Sequence, residues 1–508
     1  MFTIEIGEKI LGRNLDRDVW INFILNCSLY MICFFGCILI STMKKVYNFF
    51  ETYNKYIEKI FIFASIGIVA MSVIVRIIMY IKCRSLWLDE AFLAESIVSR
   101  NWLELLASPL SNNQSAPVLY VIAVKAICSL FGYSEFSLRI FSLFAFIGLL
   151  ICETIFMKKV FNFSNKKIAF VVVMTALLPS YIWYSNELKP YMSDALFAVL
   201  TILLYFYYTQ NKIKLPILTA LYVLILGFSS PAIFFIGGVL FSEFLVAVFN
   251  KNKKNIICIS LSGIVILAIF GLYYHWWLSP ASESMKIYWD NYAARISIIN
   301  RIIDIFKNEG NSDSKIVWLF VPFALLGFYS LIRQKHKITY SIGLSMFFVF
   351  LASAIGKWPL SGRLWLFLPV IVLIFTPIGL YFIYDKIKYK KITEIVGLFI
   401  LSVIIVCSMV YCAQYVGDKC YFHKQEVNPL IHYVQENIKE DEKLYVYPRA
   451  KFAFNYKNGY GSTKIGNVAK DNIIFGKDRD QWNENIVGNE LLSILENKKV
   501  YLIWFKIS

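Results

Sequence analysis

Apolar residues in this chain occur in long runs separated by short polar segments, a pattern typical of a helical protein that crosses a membrane several times. A helix needs about 17 to 25 residues to cross the hydrocarbon core of a bilayer. Twelve runs approach or reach this length. We predict spans at residues 20–41, 60–82, 136–157, 168–184, 193–208, 215–229, 231–249, 256–278, 316–332, 338–355, 364–385 and 392–415.

Positive charge is distributed unevenly among the segments that join these runs. Six joining segments together contain twenty lysines and arginines, whereas the short loops between the remaining spans contain three, namely Lys189, Lys357 and Arg363. Because cytoplasmic loops are enriched in Lys and Arg, we predict that the first set faces the cytoplasm. The N-terminus and the short loops then lie on the extracytoplasmic side.

Residues 83–135 form the largest outer loop between two spans in this interpretation. The apolar stretch from Ala116 to Gly132 has only about 17 residues and carries Lys125 near its middle, which favours an interfacial helix over a span. Counting it as a span would also place the Lys-rich loops on alternating sides. We therefore expect one large outer loop whose amphipathic helices lie against the membrane.

The chain divides into three predicted regions. Residues 1–59 hold an extra N-terminal span and a cytoplasmic linker, and residues 60–415 form the main transmembrane domain. Hydropathy falls sharply after Tyr415, so residues 416–508 are expected to form a small extracytoplasmic α/β domain. Within it we predict a helix with Asn428 as N-cap and Pro429 in its first turn, another helix near 490–496, and strands at 444–447, 473–475 and 500–505.

Composition agrees with a membrane protein. The 508 residues are 58% hydrophobic and 17% aromatic, which excludes an ordinary soluble domain. The net charge of +17 is concentrated in short loops, so we attribute it to membrane topology and expect no nucleic-acid partner. No cleavable signal peptide is expected. The ten cysteines show no metal-ligand spacing, so we expect no cofactor, with a divalent metal as the alternative left open.

Adjacent carboxylates, Asp89 and Glu90, stand where the span ending near residue 82 emerges into water. Asp89 could simply cap the helix that follows. A carboxylate between a span and a membrane-hugging loop also suits a catalytic base. We expect both residues to be catalytic, with Asp89 as the base and Glu90 orienting either Asp89 or the acceptor.

Two further outer segments carry charge. Glu187, Lys189 and Asp194 border a span, where charges are costly unless they face protein or a cavity; helix capping by Asp194 and snorkelling of Lys189 are the alternatives. Arg363 lies in a later outer loop, where it could be an interfacial anchor. Its planar fork also suits a phosphate.

These groups together suit the transfer of a sugar from a lipid phosphate to a hydroxyl group. Asp89 can accept the acceptor's proton, and Arg363, Lys189 or Lys125 can stabilise the departing phosphate.

Four motifs, in this order, resemble those of the C-type membrane glycosyltransferases (the GT-C fold). The likeness is nearest to bacterial enzymes of the protein O-mannosyltransferase and lipid A aminoarabinose transferase type, glycosyltransferase families 39 and 83. The motifs are Trp-Leu-Asp-Glu at 87–90 with Ser-Ala-Pro-Val-Leu-Tyr at 115–120 and residues 131–139, Tyr-Ser-Asn-Glu-Leu-Lys-Pro-Tyr at 184–191, Ser-Gly-Arg-Leu-Trp-Leu-Phe-Leu-Pro at 361–369, and residues 424–447.

The resemblance implies a GT-C fold of about 12 transmembrane helices that uses a polyprenyl-phosphate sugar donor, such as an undecaprenyl-phosphate sugar. It implies inverting transfer of a hexosyl or pentosyl unit to a glycan, glycolipid or protein acceptor outside the plasma membrane, with Asp89 as catalytic centre. The expected substrate-binding residues are Glu187, Lys189, Tyr191, Asp194, Arg363, Lys125 and Arg139. Asn186 and Lys189 depart from the family's more usual Gln and Arg, and Ser230 replaces a frequent His.

Two other classes fit the bulk pattern. A transporter or lipid flippase would also be polytopic and basic, but it typically has inverted repeats and charges at mid-span, whereas the charges here lie mainly in outer loops. A ligase or polymerase of surface polysaccharide would share the substrates but not this set of motifs.

Overall fold

The structure is a computed structural model, and it describes residues 44–82, 84–279, 313–358, 362–386, 397, 402–410, 413, 426–440, 442–459, 464–465, 468–469, 472–476 and 500–503. The predicted span at 20–41, most of the one at 392–415 and the helix near Glu490 lie outside these residues.

Helices dominate the described part of the chain. They are α1 (Lys44–Ile81), α2 (Leu88–Ser99), α3 (Trp102–Ala107), α4 (Val118–Phe131), α5 (Glu135–Val160), α6 (Asn165–Leu177), α7 (Pro179–Tyr184), α8 (Tyr191–Thr209), α9 (Leu215–Phe228), α10 (Ala232–Phe249), α11 (Lys253–Tyr273), α12 (Asp313–Arg333), α13 (Lys337–Ala354), α14 (Leu368–Tyr384), α15 (Asn428–Asn437) and α16 (Lys451–Asn458). A π-helical turn, Tyr274–Leu278, extends α11, and a 3₁₀ turn, Gly362–Trp365, precedes α14.

Six helical stretches in the described part are long and apolar enough to cross a membrane, and they support a membrane protein. They are Tyr56–Ile81, α5, α8, α10, Lys253–Leu278 and α13. Shorter apolar helices are α4, α9, Leu319–Arg333 and α14. The helical fold class is thereby confirmed, whereas the number of twelve spans stays a prediction. Helix α4 has 14 residues, as does α9, so length does not separate the interfacial helix expected at 116–132 from the span expected at 215–229, and both stay predictions.

Helix boundaries differ from the predicted spans at two places. Helix α1 begins at Lys44 and continues without a break to Ile81, so the described part of the expected linker is helical. The single span expected at 168–184 is two helices, α6 and α7, which are separated by Leu178 in an extended conformation. Pro179 explains this break, since proline lacks an N–H and disfavours helical geometry in the residue before it.

A buried arginine covers the end of α6 at this break. Arg76 of α1 is fully buried and donates to the carbonyl oxygen of Ala176 at 3.0 Å and to that of Ser72 at 3.0 Å. Its guanidinium also lies 3.7 Å from the ring centroid of Phe146. Arg76 therefore satisfies a carbonyl that the broken helix leaves without an intrahelical partner.

Close glycine packing joins α12 to α14. A Cβ atom on Gly379 would lie 1.8 Å from the carbonyl oxygen of Phe323, and one on Gly327 would lie 2.3 Å from that of Phe375. Such distances exclude any side chain, and small residues are what allow helices to approach closely in membranes. This contact fixes the position of α14 and of the turn Gly362–Trp365 that leads into it.

The C-terminal region contains a three-stranded parallel sheet in the order β4-β1-β5, formed by β1 (Lys443–Val446), β4 (Ile473–Phe475) and β5 (Val500–Ile503). A two-stranded antiparallel pair, β2 (Lys464–Ile465) and β3 (Val468–Ala469), lies between β1 and β4 in sequence. The described strands of the sheet lie within one residue of the predicted starts. Helix α15 has a proline in its first turn, as expected from the Asn-Pro pair at 428–429.

The C-terminal region packs on the beginning of the outer loop. The hydroxyl group of Ser85 donates to Glu426 at 2.7 Å and accepts from the amide of Asn428 at 3.0 Å. Phe92 of α2 meets Phe452 of α16 edge to face, with ring centroids 4.5 Å apart. The outer loop is therefore held between the helix bundle and the C-terminal region.

Candidate active site

Chain segments from distant parts of the sequence meet at one end of the helix bundle. Ion pairs join Asp89 to Arg363 and Arg84 to Glu187, and a further pair joins Glu90 to Arg139. These residues come from the outer loop, the α7–α8 loop, the first turns of α5 and the turn before α14. The segments that the charge pattern placed on the outer side are thus neighbours in space.

Glu90 is the centre of this cluster. Its carboxylate is fully buried and accepts from the Nε of Arg139 at 2.9 Å, the Nη2 of Arg139 at 2.8 Å and the Nη1 of Arg84 at 3.2 Å. The amide of Leu188 donates to the same carboxylate at 2.8 Å. Burial alone would raise the pKa of Glu90, but the charges of Arg139 and Arg84 outweigh it and lower that pKa to about 2. Glu90 is therefore a fixed negative charge at neutral pH.

Arg84 connects two outer segments and was missed in the sequence. Its guanidinium lies 3.2 Å from a carboxylate oxygen of Glu90 and 3.3 Å from one of Glu187. It also lies 4.7 Å from the ring centroid of Trp183, and the indole N–H of Trp183 donates to Glu187. Arg84 therefore ties the start of the outer loop to the α7–α8 loop.

Asp89 differs from its neighbour in exposure. Its side chain is 23% exposed and pairs with Arg363, whose side chain is 31% exposed. The guanidinium of Arg363 lies 5.2 Å from the ring centroid of Trp87 and 5.6 Å from that of Tyr191. The helix begins at Leu88 with Trp87 as N-cap, so Asp89 is not the capping residue; the carboxylate of Glu90 instead accepts weakly from the amide of Trp87 at 3.4 Å.

Lys189 supplies a second cation beside this pair. It is only 6% exposed, and its ammonium donates to the side-chain oxygen of Gln114 at 2.7 Å. Burial lowers its pKa to about 8, although the charge of Asp89 acts in the opposite direction and that of Arg363 adds to the lowering. Gln114, which the sequence did not single out, thus orients the ammonium of a lysine that loses its charge within an accessible pH range.

Asp194 lies at the edge of the cluster. It belongs to the first turn of α8, which begins at Tyr191, so it does not cap the helix as the alternative interpretation supposed. The hydroxyl of Ser229 donates to it at 2.8 Å. Asp194 therefore links α8 to the turn before α10.

The other two predicted substrate-binding cations are engaged in structural bonds. The ammonium of Lys125 donates to the carbonyl oxygens of Ile97 at 2.7 Å and Arg100 at 2.6 Å, at the C-terminal end of α2. The guanidinium of Arg139 donates to the carboxylate of Glu90 and, at 2.7 Å, to the carbonyl oxygen of Arg84. We therefore retain Lys189 and Arg363, and not Lys125 or Arg139, as candidate phosphate ligands.

The arrangement places a partly exposed carboxylate beside two cations, above a buried ionic network that holds the surrounding segments. This combination can accept a proton at one position and stabilise an anion at the next. Among the residues that the structure describes, no three His, Cys, Asp or Glu side chains form a group that could hold a metal ion.

No protein-family model and no curated protein matches the chain. Among solved structures, ArnT from Cupriavidus metallidurans bound to undecaprenyl phosphate aligns at 10% sequence identity and a TM-score of 0.49, covering 86% of this chain and 89% of that chain. The apo state of ArnT from the same organism aligns at 11% identity and a TM-score of 0.48, covering 87% and 90%. The activity proposed for this chain rests on its own residues.

Proposed function

We propose that this protein is an integral membrane glycosyltransferase that transfers a sugar from a polyprenyl-phosphate donor to a hydroxyl group on an extracytoplasmic acceptor. The observation that carries the proposal is the position of the partly exposed Asp89 beside the cations Arg363 and Lys189. The ordered motifs that resemble C-type glycosyltransferases contain the same three residues.

The proposed reaction needs one proton acceptor and one anion site. The acceptor hydroxyl loses its proton to the carboxylate of Asp89 as its oxygen bonds to the anomeric carbon of the sugar. The bond between that carbon and the phosphate oxygen breaks, and its electron pair leaves with the lipid phosphate. Attack from the side opposite the leaving group inverts the anomeric centre.

Arg363 and Lys189 are assigned to the departing phosphate. Its negative charge increases as the bond breaks, so fixed cations stabilise the transition state more than the ground state. Phosphate is a good leaving group, and this scheme therefore needs no separate acid. Tyr191 and Trp87, which flank Arg363, are assigned to the walls of the anion site.

Glu90 and Glu187 are assigned to positioning. Both are fully buried, and Arg84 joins them. A carboxylate whose pKa is lowered to about 2 is a poor proton acceptor at neutral pH. The network therefore fixes the segment that carries Asp89 rather than exchanging protons with substrate.

The test is sugar transfer by the purified full-length protein in nanodiscs, with radiolabelled polyprenyl-phosphate sugars and a panel of glycan, glycolipid and protein acceptors. We expect transfer or slow donor hydrolysis by the wild type and loss of both in Asp89→Asn, with normal expression and thermal stability. Glu436→Gln, which removes an exposed carboxylate from α15, is the matched control. Full activity of Asp89→Asn would exclude Asp89 as the base.

The transporter alternative predicts a different result. Movement of the intact lipid-linked sugar across proteoliposomes, without transfer or hydrolysis, would overturn the glycosyltransferase proposal.

A further inference from the structure

The pairing of Asp89 with Arg363 creates a conflict between two roles. Under the proposed function, Asp89 must offer a free oxygen to the acceptor's proton, and Arg363 must bind the donor's phosphate. In the structure the Oδ2 of Asp89 pairs with the Nη2 of Arg363. A cation that donates to one oxygen of a carboxylate stabilises the ionised form of the whole group, so the carboxylate is a weaker proton acceptor.

A phosphate and a carboxylate compete for the same guanidinium geometry. The planar fork of arginine matches either anion with short N–H···O bonds. The pair is also accessible, since both side chains are partly exposed. The ion pairs of Glu90, in contrast, are closed off by full burial.

Resting on the proposed function, we propose that Asp89 occupies the anion position on Arg363 in the unliganded protein and that the donor's phosphate displaces it. The exchange leaves Arg363 neutralised by the phosphate and frees the carboxylate of Asp89 to act as base. Donor binding would therefore switch on the proton acceptor, and an acceptor molecule that arrives first would meet a carboxylate that is already paired.

Lys189 makes this exchange favourable. It lies beside the pair, where its charge interacts with those of Asp89 and Arg363. Two cations near a single partly exposed carboxylate leave positive charge to attract a phosphate. After the exchange the phosphate and Asp89 together balance the two cations, so the released carboxylate keeps a cationic neighbour.

Under this exchange, replacing Asp89 changes donor binding as well as catalysis. An Asn side chain has the size of Asp but no charge, so it competes weakly for Arg363. If the competing carboxylate leaves the anion position open in about one molecule in ten, Asp89→Asn should lower the Kd for a lipid phosphate about tenfold. A purely catalytic role predicts an unchanged Kd, and a role as a direct donor ligand predicts a higher one.

The experiment measures binding of undecaprenyl phosphate to the full-length protein in nanodiscs, by native mass spectrometry or thermophoresis. The variants are Asp89→Asn and Arg363→Gln, with Glu436→Gln as the charge control and a thermal unfolding scan of each to verify folding. We expect tighter binding by Asp89→Asn, weaker binding by Arg363→Gln and no change in the control.

Two outcomes would overturn the inference in distinguishable ways. If Arg363→Gln weakens binding but Asp89→Asn binds as the wild type or more weakly, the exchange is wrong and the proposed function stands. If the wild type does not bind the lipid phosphate, or if Arg363→Gln binds as the wild type, the proposed phosphate site is wrong and the exchange fails with it.

Discussion

Replacing Glu90 by Gln removes the charge at the centre of the ionic network while keeping the side chain's size. Lowering the pKa of Glu90 from 4.5 to about 2 corresponds to about 3 kcal/mol, since a tenfold change in an equilibrium is about 1.4 kcal/mol. Removing one partner of a buried ion pair costs about 3–5 kcal/mol, because the other charge stays buried. The pKa shift and the cost of breaking a buried ion pair both predict that Glu90→Gln destabilises the protein by about 3 kcal/mol or more.

Thermal unfolding of the purified protein, followed as a function of pH, tests this magnitude. A carboxylate with a lowered pKa stabilises the folded state fully above its unfolded pKa, and this contribution is lost as the pH falls through 4.5 toward 2. Wild-type protein should therefore lose stability in that window, and Glu90→Gln should unfold at a lower temperature with a flatter acid dependence.

A double variant separates the ion pair from the packing of the side chain. Glu90→Gln combined with Arg139→Gln should be more stable than Glu90→Gln alone, because neither partner then leaves an uncompensated buried charge. Equal unfolding temperatures and equal pH dependence for wild type and Glu90→Gln would refute this account of the network.

Three further predictions follow from individual contacts. The donor's kcat/KM should fall as the pH rises through about 8, where Lys189 loses its charge, and this fall should disappear in Lys189→Arg; an unchanged profile would exclude Lys189 as the titrating group. Arg84→Gln should reduce kcat/KM by about 100-fold by misplacing the two segments that Arg84 joins, and wild-type kinetics would contradict that positioning role. Ser85→Ala should lower stability by about 1–2 kcal/mol through its lost bonds to Glu426 and Asn428, measured by thermal unfolding, and an unchanged transition would show that this contact contributes little.

Much of the helical pattern could be predicted from the sequence because hydropathy and the placement of Lys and Arg are local signals. The apolar runs correspond to α5, α8, α10 and α13, each within a few residues. The same signals predict Asp89, Glu187 and Arg363 on one side of the membrane, and the structure brings them together at one end of the bundle.

Which charged side chains pair with each other, in contrast, is set by tertiary contacts, and local sequence patterns do not predict those contacts. Arg84 follows a span, where an arginine is normally a snorkelling anchor, yet it contacts Glu187 about a hundred positions away. Lys125 was predicted to bind phosphate, but in the structure its ammonium donates to two carbonyl oxygens at the end of α2. The break before Pro179 was missed because the apolar run continues through it.

Asp89 and Glu90 are adjacent in the outer loop, but helical geometry places their side chains in different environments. Successive residues of an α-helix point about 100° apart, so Asp89 and Glu90 in the first turn of α2 cannot share one environment. Glu90 points into the protein, where two arginines hold it ionised, and its low pKa makes it unsuitable for accepting protons at neutral pH. Asp89 points to the partly exposed side, where we propose that a phosphate competes with it for Arg363. Two adjacent positions in one turn of helix thus carry a charge that holds the site together and a charge proposed to react, and the proposed mechanism depends on their different orientations.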